Sequence, residues 1–331
     1  MTVTPQFPHA SLDSGIYESF FLRAVSPDEP VGAWIRYTVH KPPKEPAQGS
    51  LWLSVFDARA GAPFTEKHTS VELAAPAGGW IEIGEGSRFG PGVAEGVCGP
   101  ARWSLRFSSD EQELRHFKQA LLYRAPLPRT KLTSPAPAAS FDGTIELPGR
   151  TLRLNGWRGM VGHNWGSEHA ARWIWLHGVG FQEDPTAWLD VALGRVLVAG
   201  RLSPWLANGA ISLNGRRLHL GGLATRGLRV AESAERCSLS IPGEDGLTLQ
   251  AHVDTPPGSA ARWRYTDPRA HNPSQQTGAS PSRSAASGLP AGEHDVVNCS
   301  VAALALNVRL RGEAARTLHT AHGAAYELGV S

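Results

Sequence analysis

One acid and one imidazole stand out among many indoles. Asp190 lies in an otherwise apolar run, Ala187–Leu197 (AWLDVALGRVL). In an extended segment Trp188, Asp190 and Ala192 share one face, and Leu189, Val191 and Leu193 the other. A carboxyl buried without a cation has a raised pKa and stays protonated near neutral pH. Such an acid can protonate a double bond, and tryptophan faces can stabilise the resulting carbocation by roughly 0.5–2 kcal/mol per ring. The opposing reading pairs Asp190 with Arg172 or Arg195 in a structural role, and the residues alone leave both open. His163 can orient or reprotonate the acid, or serve as an ordinary structural hydrogen-bonder.

The elements that must position these groups centre on Gly156–Phe181, which holds four of the eleven tryptophans (Trp157, Trp165, Trp173, Trp175), three histidines (His163, His169, His177) and Glu168. Trp173, Trp175 and His177 alternate with Ile174, Leu176 and Gly178, as in a strand buried on both sides. The polar run GHNWGSEH, with Asn164 at its centre, reads as a tight connection feeding that strand. Large rings beside convergent polar groups suit an apolar ligand pocket, with Asn164, Trp165, Glu168, Trp173, Trp175, His177 and Trp188 as its wall. The alternative is that the indoles simply fill a core. Glu18 shares a face with Phe20 and Leu22, either at a strand end in water or pointing into the pocket.

Other chemistries find little support. The histidine spacings give no His-x-His on a strand and no HExxH on a helix, so no metal is expected. Cys98, Cys237 and Cys299 are far apart and without CxxC spacing, and read as buried thiols. Nucleophile-elbow, Walker-type and dinucleotide motifs are missing, so no cofactor is expected. A formal charge of +2 without a basic stripe gives nucleic acid no electrostatic footing. The first residues lack the basic start and apolar run of a signal peptide, and no apolar stretch can span a bilayer. The expectation is a cytoplasmic protein that meets a membrane at most peripherally.

Abundant Gly and Pro favour short strands and turns. Ile16–Val25 and Val31–His40 flank Pro27-Asp28-Glu29-Pro30 and predict a hairpin. In 101–107, Trp103, Leu105 and Phe107 alternate with Arg102, Ser104 and Arg106, predicting a half-buried antiparallel strand. Asn214-Gly215 predicts another hairpin. Ser109–Ala120 opens with Ser-Asp-Glu and has Leu114, Phe117 and Leu121 at helical spacing, predicting a helix. The four prolines of 126–139 suggest a linker. The low-complexity run 272–292 reads as a flexible insertion. The fold class is therefore all-β with little helix: two antiparallel β-barrel or β-sandwich domains, 1–125 and 140–331, joined by 126–139.

The stretch GHNWGSEHAARWIWLHG resembles the Asn-Trp-Gly…Trp-x-Trp region of the tocopherol-cyclase-like proteins, and YESFFLRAVSPDEPVGAWIRYTV resembles their first hairpin. The wider group includes carotenoid 1,2-hydratases (hydroxyneurosporene synthases), AttH-like proteins and lipocalin-like Diels–Alderases. The resemblance implies two lipocalin-like β domains with a ligand site in a barrel or between domains. In the hydratases a His-x-Trp pair precedes an aromatic-x-Asp pair whose Asp donates the proton. His163-Asn164-Trp165 and Trp188-Leu189-Asp190 match that pattern, with Trp188 where the hydratases carry Tyr.

The functional expectation is a cofactor-independent, acid-catalysed cyclase, hydratase or isomerase acting on an apolar isoprenoid- or polyketide-like molecule. Asp190 is the expected acid and His163 its partner. The alternatives are a non-catalytic lipocalin-like carrier of a hydrophobic ligand and a β-sandwich interaction module.

Overall fold

A computed structural model of the chain describes residues 3–198, 200–222, 226–269 and 290–331. Most of the 272–292 insertion lies outside the described residues. The architecture is all-β. Strands up to Gly166 form one twelve-stranded sheet, and most later strands form a second, ten-stranded sheet. Neighbouring strands are antiparallel throughout both. Among the described residues the helical segments are three short 3-10 turns, Phe7–His9, Ala120–Tyr123 and Glu244–Gly246. None could cross a membrane.

The first sheet curls into a nearly closed barrel, with strand Gln48–Asp57 approaching Ile81–Ile83 and Val93–Cys98 across the gap. Its interior is filled with rings: Phe20, Tyr37, Trp80, Phe89, Phe107 and Phe141 are buried and neighbour one another at 5.1–6.4 Å between centroids. Alternation decides which side chains enter. Along Ala101–Ser108 every second residue is buried and the rest face water, as the sequence predicts.

Strand Ile16–Val25 is buried on both faces. Phe20, Leu22 and Ala24 point into the barrel, whereas Phe21 and Val25 belong to the core shared with the second sheet. One strand thus separates two interiors. Strand Arg150–Gly166 pairs with it along nearly its whole length. The Asn214-Gly215 hairpin forms with both residues at positive φ, 49° and 75°, the geometry of a tight type I′ turn.

Two segments depart from the sequence reading. The 126–139 region is not a free linker: Thr130–Leu147 is an 18-residue strand between Arg150–Gly166 and Ala101–Ser108. Pro135 and Pro137 lack N–H groups for the ladder, and the register shifts between Thr133 and Ala136 and again between Ala136 and Ala139. The bulges absorb the prolines and keep the strand. The change of sheet falls later, at 167–171, between strands Arg150–Gly166 and Arg172–Gly178. The expected helix over Ser109–Ala120 is also replaced. Leu114–Arg115 pairs with Thr133 and Ser134, and Leu114 and Phe117 are buried while Leu121 is exposed. Tertiary burial of Leu114 outweighs a weak local helix signal.

Candidate active site at the junction of the two sheets

Asp190 and His163 do not meet. His163 projects from Arg150–Gly166 into the barrel, where Nε2 lies 2.7 Å from Glu18 Oε1 and the ring stacks on Phe20 and Trp165. Glu18 also accepts the backbone N–H groups of Gln6 and Phe7. It is fully buried and holds down the N-terminal 3-10 turn, rather than sitting at a wet strand end. Thr133 pairs with His163, so its successor Ser134 points to the other face of the sheet. Asp190 is on that other side, where Ser134 Oγ donates to its Oδ2.

Asp190 is enclosed by donors. Trp175 Nε1–H donates to Oδ1 at 3.1 Å, and His116 Nε2 lies 3.3 Å from the same oxygen. Burial alone would raise this carboxyl. The neighbouring His116, then His177 and the Ser134 hydroxyl, outweigh it and hold the pKa at about 2. These partners favour the ionised carboxylate over the protonated acid. Its partners are also not the arginines considered from sequence: Arg172 pairs with Glu232, and Arg195 donates to the Ser203 carbonyl.

The neighbouring residues complete a contact layer between the sheets. His177 Nδ1 accepts from Arg23 at 3.0 Å, and its Nε2–H donates to the Pro137 carbonyl at 2.9 Å. Burial, then the Arg23 charge, lowers His177 to about 4. Trp188 is fully buried, donates to Glu111 at 2.9 Å and lies under Arg217. Trp165 and Asn164 are half-buried beside the barrel, and Glu168 pairs with Arg129 near the surface. The sequence-selected residues thus fall in several places: His163 and Glu18 at the barrel interior, Asp190, Trp175, His177 and Trp188 at the junction, and Glu168 near the surface.

Another constellation lies at the edge of that junction. His169 Nδ1 is 2.6 Å from Asp267 Oδ1, which also accepts the His169 backbone N–H at 2.8 Å. His294 Nε2 lies 3.1 Å from Asp267 Oδ2. Burial lowers His169 to about 4, against the opposing pull of Asp267. Burial would raise Asp267, but the two histidines bring it well below the usual carboxylate range. His169 is then neutral, with its proton on Nδ1 and a lone pair on Nε2. His169 Nε2 has no hydrogen-bond partner among the described residues. The His169 ring stacks on Tyr17 at 4.0 Å and 10°. Tyr17 donates to Thr130, and Thr130 donates to the Glu168 carbonyl. Trp173, from the sequence-selected set, stacks on His169 at 5.6 Å.

These rings border a cleft of about 330 Å³ whose lining includes Tyr17, Arg36, Trp52, Lys67, His169 and Tyr265. Its floor is the outer barrel face, and its roof comes from the second sheet. His169, Asp267 and His294 each offer one ligand atom within 4.8 Å of the others, a set that could hold a metal ion. The short contacts to both carboxylate oxygens also make it an Asp–His pair suited to proton transfer. Sequence reading missed Asp267, His294 and His116. Asp267 and His294 flank the low-complexity insertion and lie 27 residues apart, so no local spacing marks them.

No protein-family model matches the chain. The uncharacterized proteins MT0513 and Rv0493c of Mycobacterium tuberculosis are each 26% identical over 259 residues, covering 77% of this chain and 76% of theirs. Among solved structures, CghA with Sch210972 superposes with a TM-score of 0.62 at 10% identity, over 96% of this chain and 88% of that one. A kievitone hydratase from Nectria haematococca gives 0.52 at 8% identity, over 96% and 89%. A putative AttH from Nitrosomonas europaea gives 0.51 at 12%, over 99% and 96%. The likeness runs along nearly the whole of each chain, and the chain shares the overall all-β fold of these three structures.

Proposed function

We propose that the protein is an acid–base enzyme that hydrates, isomerises or cyclises a largely apolar small molecule, isoprenoid- or polyketide-like, in the cleft between its two sheets. The observation that carries this reading is His169, a residue of the cleft lining whose buried Nε2 has no partner among the described residues while its Nδ1–H is held by Asp267. A neutral imidazole oriented in this way takes a proton from water or from a carbon acid, and Asp267 stabilises the imidazolium that forms. The same imidazolium returns the proton to the product. Tyr17, Trp52 and Tyr265 supply apolar walls. The shared fold with a kievitone hydratase supports the reaction class by analogy of fold alone. Asp190 becomes a group that fixes the two sheets together, in place of the proton donor expected from sequence.

The carrier alternative draws less support, because the barrel interior is occupied by the protein's own rings. The test is incubation with a panel of polyene, phenolic and polyketide-like compounds in D2O, read by mass spectrometry. Wild type is expected to give a product carrying solvent deuterium, and His169→Gln to give none. A chelator should leave the rate unchanged. Loss of activity on chelation, restored by a divalent metal, would replace the Asp–His pair with a metal centre. Equal turnover by wild type and His169→Gln would remove His169 from the chemistry.

A further inference from the structure

The cleft floor is built from cross-strand rows. Phe21 pairs with Arg36, Arg36 with Trp52, and Trp52 with Lys67. The adjacent same-face row is Ser19, Thr38, Ser50 and Thr69. Residues two apart on a strand share a face, so a row of cations and one indole lies beside a row of hydroxyls, under His169.

Arg36 is 6% exposed yet makes no ion pair among the described residues. Its Nε donates to Ser19 Oγ, and its guanidinium lies 4.4 Å from the Tyr265 ring centroid. A buried guanidinium ordinarily has a carboxylate or phosphate partner. Among the described residues Lys67 pairs with no acid, and its ammonium lies 3.9 Å from the Trp52 ring centroid. Loss of hydration, then the Arg36 charge, holds that ammonium below the ordinary lysine value. The nearby carboxylates are already committed: Glu18 to His163 and two backbone N–H groups, Glu327 to Trp173, Tyr265 and Asn298. Arg36 and Lys67 flank Trp52 on one wall, and an anion lying over that row relieves the repulsion between the two cations.

We infer that the row Arg36–Trp52–Lys67, with the hydroxyls of Thr38, Ser50 and Thr69 that line the cleft beside it, is a seat for the carboxylate of the substrate, which is therefore an apolar ring or chain bearing one acidic group. This rests on the cleft being the substrate site. The carboxylate takes the floor, the apolar body lies along Trp52 and Tyr265, and the reacting carbon faces the roof.

The experiment uses 2-naphthoate and its neutral counterpart 2-naphthamide as probes of the full chain, by isothermal titration calorimetry and tryptophan fluorescence. Naphthoate is expected to bind at least about tenfold more tightly than the amide and to weaken as salt rises. Lys67→Gln, an exposed position, should weaken naphthoate several-fold and leave the amide unchanged. Arg36→Gln should do the same more strongly, with Lys67→Gln carrying the test if that variant does not fold. Equal affinity of acid and amide, no saturable binding of the acid at millimolar concentration, or an equal loss of both probes in Lys67→Gln would overturn the inference. His169→Gln separates the two readings. If it binds naphthoate normally but incorporates no deuterium, both hold. If naphthoate fails to bind while His169 is still required for turnover, only the anion seat falls.

Discussion

His169 and Asp267 are 98 residues apart in the chain and meet at 2.6 Å where the second sheet covers the barrel. The carboxylate accepts the Nδ1–H hydrogen bond and leaves Nε2 buried without a partner among the described residues, in a residue that lines the cleft. Replacing Asp267 with Asn should leave the imidazole present but in the wrong tautomer or orientation. We expect Asp267→Asn and His169→Gln each to lower kcat by about 10²–10⁴, the usual scale of a lost acid–base group. Far-UV circular dichroism should be unchanged. The measurement is the rate of solvent-deuterium incorporation into product.

Asp190 should behave as a fastener between the sheets. It joins His116 and Ser134 of the first sheet to Trp175 of the second. Asp190→Ala leaves those buried donors without an acceptor, at a cost of about 3–5 kcal/mol. The expected result is a fall in Tm of several degrees or more, with turnover retained at temperatures where the variant is folded. Wild-type Tm with abolished turnover would return Asp190 to the chemistry.

The Arg23–His177 contact makes stability depend on pH. His177 has its pKa lowered from 6.5 to about 4, by burial first and Arg23 second. A histidine depressed in the folded state is uncharged there but takes a proton when unfolded. Its contribution is thus complete above the unfolded value of 6.5 and is lost as pH falls toward 4. The shift corresponds to about 3 kcal/mol. Chemical denaturation between pH 7 and 4 should show this decline, and His177→Gln should flatten it. Asp190, held at about 2 from 3.8, adds its own loss only at lower pH.

Gly159 marks where the two central strands come closest. A Cβ there would stand 1.7 Å from the Arg23 carbonyl oxygen. Gly159→Ala must push strand Ile16–Val25 away, disturbing the barrel and the Arg23–His177 contact together. We expect more than about 4 kcal/mol of destabilisation and little soluble protein. Gly149→Ala, at a positive φ of 72° with open space around it, should cost only about 1–2 kcal/mol.

Residue order by itself determined that the chain is all-β. Alternation in 101–107, the Asn214-Gly215 turn and the aromatic hairpin at the start are local signals, and local backbone sterics suffice to produce them. The resemblance of the Gly162–Gly178 region to the tocopherol-cyclase-like proteins pointed to the two-domain fold. Short-range signals also misdirected. The prolines of 126–139 look like a linker because a sequence cannot show that bulges will absorb them, and Ser109–Ala120 looks helical because nothing local shows Leu114 being drawn into the core. Only the tertiary structure decided which side of a strand each polar group faces. Ser134 and His163 are on neighbouring strands, yet one meets Asp190 and the other Glu18. The Asp267–His169–His294 cluster and the Arg36–Trp52–Lys67 row likewise arise only when distant strands register side by side. Cross-strand neighbours are set by sheet order and register, which the whole folded chain fixes and no run of adjacent residues records.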